Sequence, residues 1–478
     1  MVNIYDILAE SVSNFPDNIF YSDECQGGIT YLNFLEIVHT KGVVFDSRRL
    51  SRYEVVVILD DDPLTMLAEM FAIWSRGAIP CVLHPHITNE DMKHLIEFIR
   101  PKLVKIRGSM EIFEQGGIIE QADLNPALIT FSTGTSNQPK AILHSHQAII
   151  ENAKLINGYL HLSSFDRCLN LKSLHQVASL SSLILPSILV GAEVHFVKKT
   201  MLFAIAEYIN KHQITFIDAV ATVVRYITSF NVQNHFSESP LRIISINGEH
   251  MSENDLSCVV RAFPNAKVFY SYGLSEAGPR VTYLEDCHFL NKKGSVGIAL
   301  DKVTIKIVEM DHQDLINYSG EYAIGEIAVK SPSIMLGYFN NKERTERTIV
   351  DGYLYTGDVG FIDNEGYLYV LGRKDETIIR GGQNIYPYEI EDFIKKIPSI
   401  LDCVVIGIED MDHGQKVVAF ITSNTLIHQQ EIMRHCVTHL PKYLVPQDII
   451  LIDDIPKKNG KLDRRALSDM VKSTHSHR

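Results

Sequence analysis

The chain has 478 residues, 45% of them hydrophobic and 22% charged, so it is longer than one core usually serves and too apolar for pervasive disorder. Its formal net charge of −13 argues against nonspecific binding to nucleic acid or to an anionic membrane. Seven cysteines, at 25, 81, 168, 258, 287, 403 and 436, form no Cys-x-x-Cys pair and no metal-like cluster with histidine, and so read as the reduced thiols of a cytoplasmic protein.

Taken in chain order, Met1-Val-Asn-Ile-Tyr-Asp-Ile-Leu8 has neither a basic n-region nor a continuous apolar stretch, so no signal peptide is expected. No apolar run reaches the ~18 residues of a membrane helix, and no membrane insertion is expected. Apolar residues at 4, 7, 8 and 12 predict a helix between Asn3 and Phe15, stopped by Pro16. Glu54–Leu59 reads as a buried strand, Leu64–Ser75 as a helix closed by Gly77, and Ile79–Leu83 as a strand; Asn89 can cap a helix to Arg100, before a strand at Leu103–Ile106. Strands are expected again at Leu128–Phe131, Glu193–Val197, Thr215–Asp218 and Leu241–Ile246, with a helix through Ala206–Ile209. Strands alternating with helices of this length predict doubly wound parallel sheets, whose ligands lie beyond the strands' carboxyl ends, here Asn247-Gly248-Glu249 and Ser271-Tyr272-Gly273.

After about residue 290 short β segments take over, including Thr304–Val308 and a hairpin-like Gly360–Val370, which predicts a β subdomain. Arg373-Lys-Asp-Glu376 is a charged break. A helix near Tyr388–Lys396, a strand at Cys403–Ile408 and a helix near Glu431–His439 then predict a small α+β unit. The fold class is therefore α/β: a large domain over residues 1–373, of doubly wound sheets plus a β subdomain, and a small mobile α+β domain over residues 374–478.

The densest phosphate-binding chemistry is Ser132-Thr-Gly-Thr-Ser-Asn-Gln-Pro-Lys140, where hydroxyls, a flexible glycine and a terminal lysine follow an apolar strand. It is not the Walker spacing, since no Ser or Thr follows Lys140; a Ser/Thr-rich surface loop is the plainer alternative. Four further stretches suit nucleotide chemistry: Ser271–Ala277, Tyr355-Thr-Gly-Asp358, Leu371–Ile385 and Pro456-Lys-Lys-Asn-Gly-Lys461. Singly, Glu276 reads as a solvated carboxylate, Asp358 as a turn residue and Lys461 as surface charge.

Together the five stretches resemble the ordered motifs of the adenylate-forming superfamily: acyl-CoA synthetases, aryl-acid ligases and adenylation domains. The resemblance runs from about Tyr31 to Leu467. It implies that Thr133, Gly134, Thr135, Ser136 and Lys140 hold the phosphates of ATP and that Glu276 places Mg2+. It puts Tyr272 on the adenine with Gly273 beside it, Gly248, Glu249 and His250 at its edge, Ser275 near the α-phosphate, and Asp358 and Arg373 on the ribose. Lys461 becomes the lysine near the reacting carboxylate, Asp375 the hinge of the small domain, and Gly381 and Gly382 the passage for a pantetheine thiol. The family loop usually has glycine where this chain has Asn137 and Ala141.

For the acid, the resemblance implies His175 as a gate and Gln176, Val177, Ala178, Leu180, Thr222, Asn247 and Ser271 as a mostly neutral wall. Gln176 stands where adenylating enzymes for α-amino acids carry an Asp, which disfavours an ammonium-bearing substrate. The expected function is ATP-dependent acyl-AMP formation followed by thioester formation on CoA or on the phosphopantetheine of a carrier protein. A decayed nucleotide-binding regulator is the alternative of another class, and intact Lys461, Glu276 and Asp358 count against it.

Overall fold

A computed structural model describes residues 2–24, 27–113, 119, 124–132, 140–197, 204–229, 239–309, 322–410, 414–458 and 461–475. They fall into two compact units, one of residues 1–304 with 329–354, the other of residues 305–328 with 355–478. The β segments at 305–328 and 355–373 thus group with the C-terminal residues.

In the first unit, apolar runs without alternation become strands covered on both faces, as Val55–Leu59 shows: all five residues are buried. In one sheet Val55–Leu59 runs parallel to Ile79–Val82 and to Leu103–Ile106, and Ile79–Val82 to Pro126–Ser132. A second sheet sets Lys267–Tyr270, Ile243–Asn247, Phe216–Val220, Arg167–Asn170, Glu193–Phe196 and Ile19–Asp23 side by side, all parallel. The helix Pro63–Trp74 starts where Asp62 accepts from the Thr65 N–H and Pro63 supplies a ready-made φ. It is buried from Met66 to Trp74, and Trp74 donates its indole N–H to the Ala127 carbonyl at 2.6 Å.

Several element ends shift by a residue or two from expectation: the strands run Ile79–Val82, Phe216–Val220 and Ile243–Asn247. The helix Asn89–Ile99 is capped by Thr88, whose side chain accepts from Asp91 N–H, so Asn89 is its first residue and not its cap. The strand expected at Glu193–Val197 ends at Phe196.

In the second unit, Ile400–Asp410 and Gly414–Ser423 pair antiparallel, and Asp448–Leu451 joins the latter in parallel. Alternation decides what covers each face. Cys403 and Val405 pack with Ile390 and Ile394 of the helix Pro387–Lys395 and with Ile432 and Cys436 of the helix Gln429–His439. Val404 and Ile406 point the other way, onto Leu467 and Val471 of the helix Arg464–His475. This is the small α+β body the sequence predicts.

Candidate active site

The parallel strands of the first unit end together. Val220 pairs with Asn247 and Ile246 with Tyr270, so Asn247 and Ser271 stand side by side, both buried. Beyond Asn247 the chain turns at Gly248, whose φ of +88° lies in the left-handed region. Arg225, on the helix Ala221–Ser229, anchors the segment after that turn: it reaches Glu249 at 3.4 Å, the His250 carbonyl and Asp255 at 3.0 Å.

Past Ser271, the Tyr272 carbonyl accepts from Val281 and Thr282 N–H groups. A Cβ on Gly273 would lie 2.4 Å from the Pro279 carbonyl oxygen, so only glycine fits. Ser275–Ala277 forms a single tight helical turn that presents Glu276 half-buried, its Oε1 accepting from the Tyr338 hydroxyl at 3.1 Å. Burial, and then Glu276, push that hydroxyl up to about 12. A carboxylate so oriented is a hard oxygen donor that fits magnesium.

Lys140 opens the strand Lys140–Ser145, and its partner across the antiparallel pair is Ser132 of Pro126–Ser132. Thr133, Gly134, Thr135 and Ser136, expected to hold phosphates, lie outside the described residues. They connect two antiparallel strands, whereas a Walker loop leads into a helix.

His175 hydrogen-bonds Ser173 at 2.7 Å, and its ring centroid is 4.5 Å from that of His84. It lines a cavity of about 630 Å³ that also takes in Met66, Leu83, Phe196 and the carboxylate residues Asp23, Asp60 and Asp62. Gln176 and Thr222 are exposed, whereas Val177 and Leu180 belong to the main core. Of the expected acid-binding wall, the structure brings Asn247 and Ser271 directly together.

Behind these two lies a group that sequence reasoning missed. Asp218, on the strand Phe216–Val220, has no solvent exposure and four partners: Lys172 Nζ at 2.5 Å, Ser182 Oγ at 2.6 Å, Arg280 Nη2 at 2.7 Å and Asn247 Nδ2 at 2.8 Å. The side chains of Lys172 and Arg280 are each 1% exposed. Burial pushes the Asp218 carboxyl up, but the two cations outweigh it and hold the group below the usual carboxylate range. Desolvation pulls Lys172 down to about 7; Asp218 opposes the shift and Arg280 adds to it. The acid-binding wall expected to be neutral is therefore backed by charge. The available signal was Asp218 closing an apolar strand and Lys172 following another.

In the second unit, Asp358 and Arg373 are cross-strand partners in the hairpin of Tyr353–Ile362 and Leu368–Arg373, and Arg373 Nη1 meets Asp358 Oδ1 at 3.0 Å. The same nitrogen donates to the Thr356 carbonyl at 2.9 Å. Asp375 lies two residues on, largely exposed, 3.5 Å from Arg373 Nε. Gly381 and Gly382, with φ of +56° and +80°, form the two-residue turn between Ile378–Arg380 and Gln383–Ile385, a turn that needs positive φ at both positions. Lys461 is paired by its backbone with Lys458 in a short hairpin, and its side chain lies outside the described residues.

Residues 118–339 match the family model for an AMP-binding enzyme, and residues 389–461 match the model for the AMP-binding enzyme C-terminal domain. The chain belongs to the AMP-binding, adenylate-forming enzymes. Among curated members of that family, a 2-succinylbenzoate–CoA ligase of Bacillus cytotoxicus is 29% identical over 442 residues, covering 88% of this chain and 90% of the relative. One from Bacillus cereus strain AH820 is 28% identical over 88% of this chain and 89% of the relative. Among solved structures, an O-succinylbenzoate coenzyme A synthetase from Bacillus subtilis in complex with AMP superposes with a TM-score of 0.85 at 24% identity, over 98% of both chains. ATP-bound MatB from Rhodopseudomonas palustris gives 0.85 at 20% identity, over 99% of this chain and 100% of that one. These likenesses show the adenylate-forming fold. Among the described residues no helix is long and apolar enough to cross a membrane.

Proposed function

We propose that this chain is an AMP-forming acid–thiol ligase that activates a small carboxylic acid with ATP and passes the acyl group to coenzyme A. A carboxylate oxygen attacks the α-phosphorus of ATP, the bond to pyrophosphate breaks, and acyl-AMP forms. A thiolate sulfur then attacks the acyl carbon, AMP leaves and the thioester remains. None of this needs a protein nucleophile; alignment and charge neutralisation suffice.

The observation that carries the reading is the Asp358–Arg373 pair, which sets an acceptor and a donor side by side, a combination able to meet a pair of vicinal ribose hydroxyls. The remaining roles follow the family pattern. Tyr272 and Gly273 take the adenine, with Gly248, Glu249 and His250 at its edge; Ser275 lies near the α-phosphate; Thr133, Gly134, Thr135, Ser136 and Lys140 take the phosphates. Glu276 would hold magnesium, which when bound offsets phosphate charge. Lys461 neutralises the attacking carboxylate, His175 gates the acid, and Gly381 and Gly382 admit the thiol. The boundary after Arg373 is the proposed edge of a mobile domain, with Asp375 as hinge and the cytoplasm as the compartment.

The test is AMP and pyrophosphate release across a broad panel of acids, with thioester measured on CoA and on holo carrier proteins. Acid-dependent AMP with CoA consumption is the expected result. No AMP with any acid would overturn the reading, and thioester only on a carrier protein would replace CoA as the acceptor.

A further inference from the structure

Four strands of the first unit end at the same cavity of about 630 Å³. Ile19–Asp23, Glu193–Phe196 and Arg167–Asn170 run parallel in one sheet, and Val55–Leu59 belongs to the other. Asp23, Phe196 and Asn170, the last residues of the first three, line the cavity, as does Asp60 just beyond the fourth. Ligands of open α/β sheets lie beyond such carboxyl ends, so topology and volume both mark a binding site.

The charge of the lining is one-sided. Asp23, Glu24, Asp60, Asp61 and Asp62 all contribute to it, and the cations nearby are committed elsewhere. Arg107 pairs with Asp61 at 2.7 Å, Lys105 with the buried Glu69, and the Lys172 ammonium with Asp218. Lys105 and Arg107 act on Asp60 only through space. Asp62 caps the helix Pro63–Trp74, whose N-terminus offsets part of its charge. Asp60 accepts from the Asp62 N–H at 3.0 Å and Asp23 from the Tyr21 hydroxyl at 3.0 Å, neutral donors that cancel no charge. Much of the remaining lining is apolar: Tyr21 stacks on Phe196 with ring centroids 5.0 Å apart, and Met66 and Leu83 add to it. A bare metal ion would fill little of this volume. Carboxylates combined with aromatic and aliphatic side chains suit an organic cation.

We propose that this cavity binds an organic cation, an ammonium group carried on a short apolar body, with Asp23 and Asp60 as its counter-charges. The ammonium belongs either to the far end of the acid being activated or to a separate amine. Its link to the reaction rests on the ligase reading, because His175, the proposed gate, lines the same cavity. Binding of the cation does not rest on it.

The test begins with calorimetric titration of the full chain with pentan-1-amine and with pentan-1-ol, at neutral pH where the amine is charged. The amine should bind about tenfold or more tighter than the alcohol, the difference that one hydrogen bond to a charged group makes. Asp60→Asn and Asp23→Asn, which keep the side-chain shape, should each weaken the amine severalfold, with the thermal midpoint as the control for folding. Equal binding of amine and alcohol, or amine binding indifferent to both substitutions, overturns the proposal. Pyrophosphate release with ATP and magnesium then locates the cation. A preference for 6-aminohexanoate over hexanoate that Asp60→Asn abolishes puts it on the acid. A change in rate on adding pentan-1-amine to the best acid of the broad panel, lost in the same variant, makes it a separate molecule. An amine that binds and alters neither overturns the link to the reaction. Absence of AMP with every acid, with selective amine binding intact, overturns the ligase reading alone.

Discussion

Asp218 shows how one side chain can hold a site together from behind. Replacing it with Ala strands two buried cations, and breaking a buried pair in this way costs roughly 3–5 kcal/mol. Urea unfolding of Asp218→Ala should show a loss of that size, and a loss below about 1 kcal/mol would mean that water reaches the cluster. His144 and His146 carry a second prediction. Burial lowers both to about 4, with Arg52 adding to the effect at His146, and His146 Nδ1 accepts from the Ile4 N–H at 3.1 Å, which requires that nitrogen to be unprotonated. Because their folded values lie below the unfolded one, the unfolded chain binds more protons below about pH 6.5. The stability they contribute is full above that pH and drains away toward pH 4, by up to about 1.4 kcal/mol per pH unit for each. Denaturant midpoints from pH 7 to 5 should fall in the native chain and fall less in the His144→Gln, His146→Gln double variant.

At the scale of elements, caps and registers decide what faces the site. The Asn89–Ile99 helix offers a clean comparison, since Thr88 and Asn89 are both residues that can cap. Thr88→Ala should cost about 1 kcal/mol and Asn89→Ala only a few tenths, read from thermal or urea midpoints; the reverse order would move the cap back to Asn89. The hairpin at residues 353–373 illustrates register. A slip of one residue would turn Asp358 to the other face and break its pairing with Arg373, so the strand pairing itself builds the proposed ribose clamp. The carboxyl ends of Phe216–Val220 and Ile243–Asn247 do the same for Asp218 and Asn247, which meet at 2.8 Å.

For the whole molecule, the proposed mechanism makes Lys461 serve one half-reaction only. Lys461→Ala should slow acyl-AMP formation about a hundred- to a thousandfold, the usual effect of losing one preorganised donor, and leave thioester formation from supplied acyl-AMP nearly intact. Asp375→Pro should do the reverse, because fixing the hinge backbone hinders domain rotation while the adenylating contacts stay in place. Equal loss of both half-reactions in Lys461→Ala would mean that the lysine is structural or that the small domain does not alternate, and would overturn this mechanism. Stopped-flow or quench measurement of each half-reaction in both variants decides it.

Much of this was legible in the amino-acid order, because the signals are local. Unbroken apolar runs such as Val55–Leu59 and residues 403–406 announce strands covered on both faces. The stretches 132–140, 271–277, 355–358, 371–385 and 456–461 carry their chemistry within a few residues each, and their order resembles the family to which the chain belongs. The Asp218 cluster was not legible, since Asp218 meets partners 46 positions earlier, at Lys172, and 62 later, at Arg280. No periodicity or turn preference links such positions. The parallel register of Arg167–Asn170 and Phe216–Val220 sets Lys172 near Asp218, the segment leading into the antiparallel strand Thr282–Glu285 delivers Arg280, and the burial that results turns three ordinary surface residue types into a desolvated network.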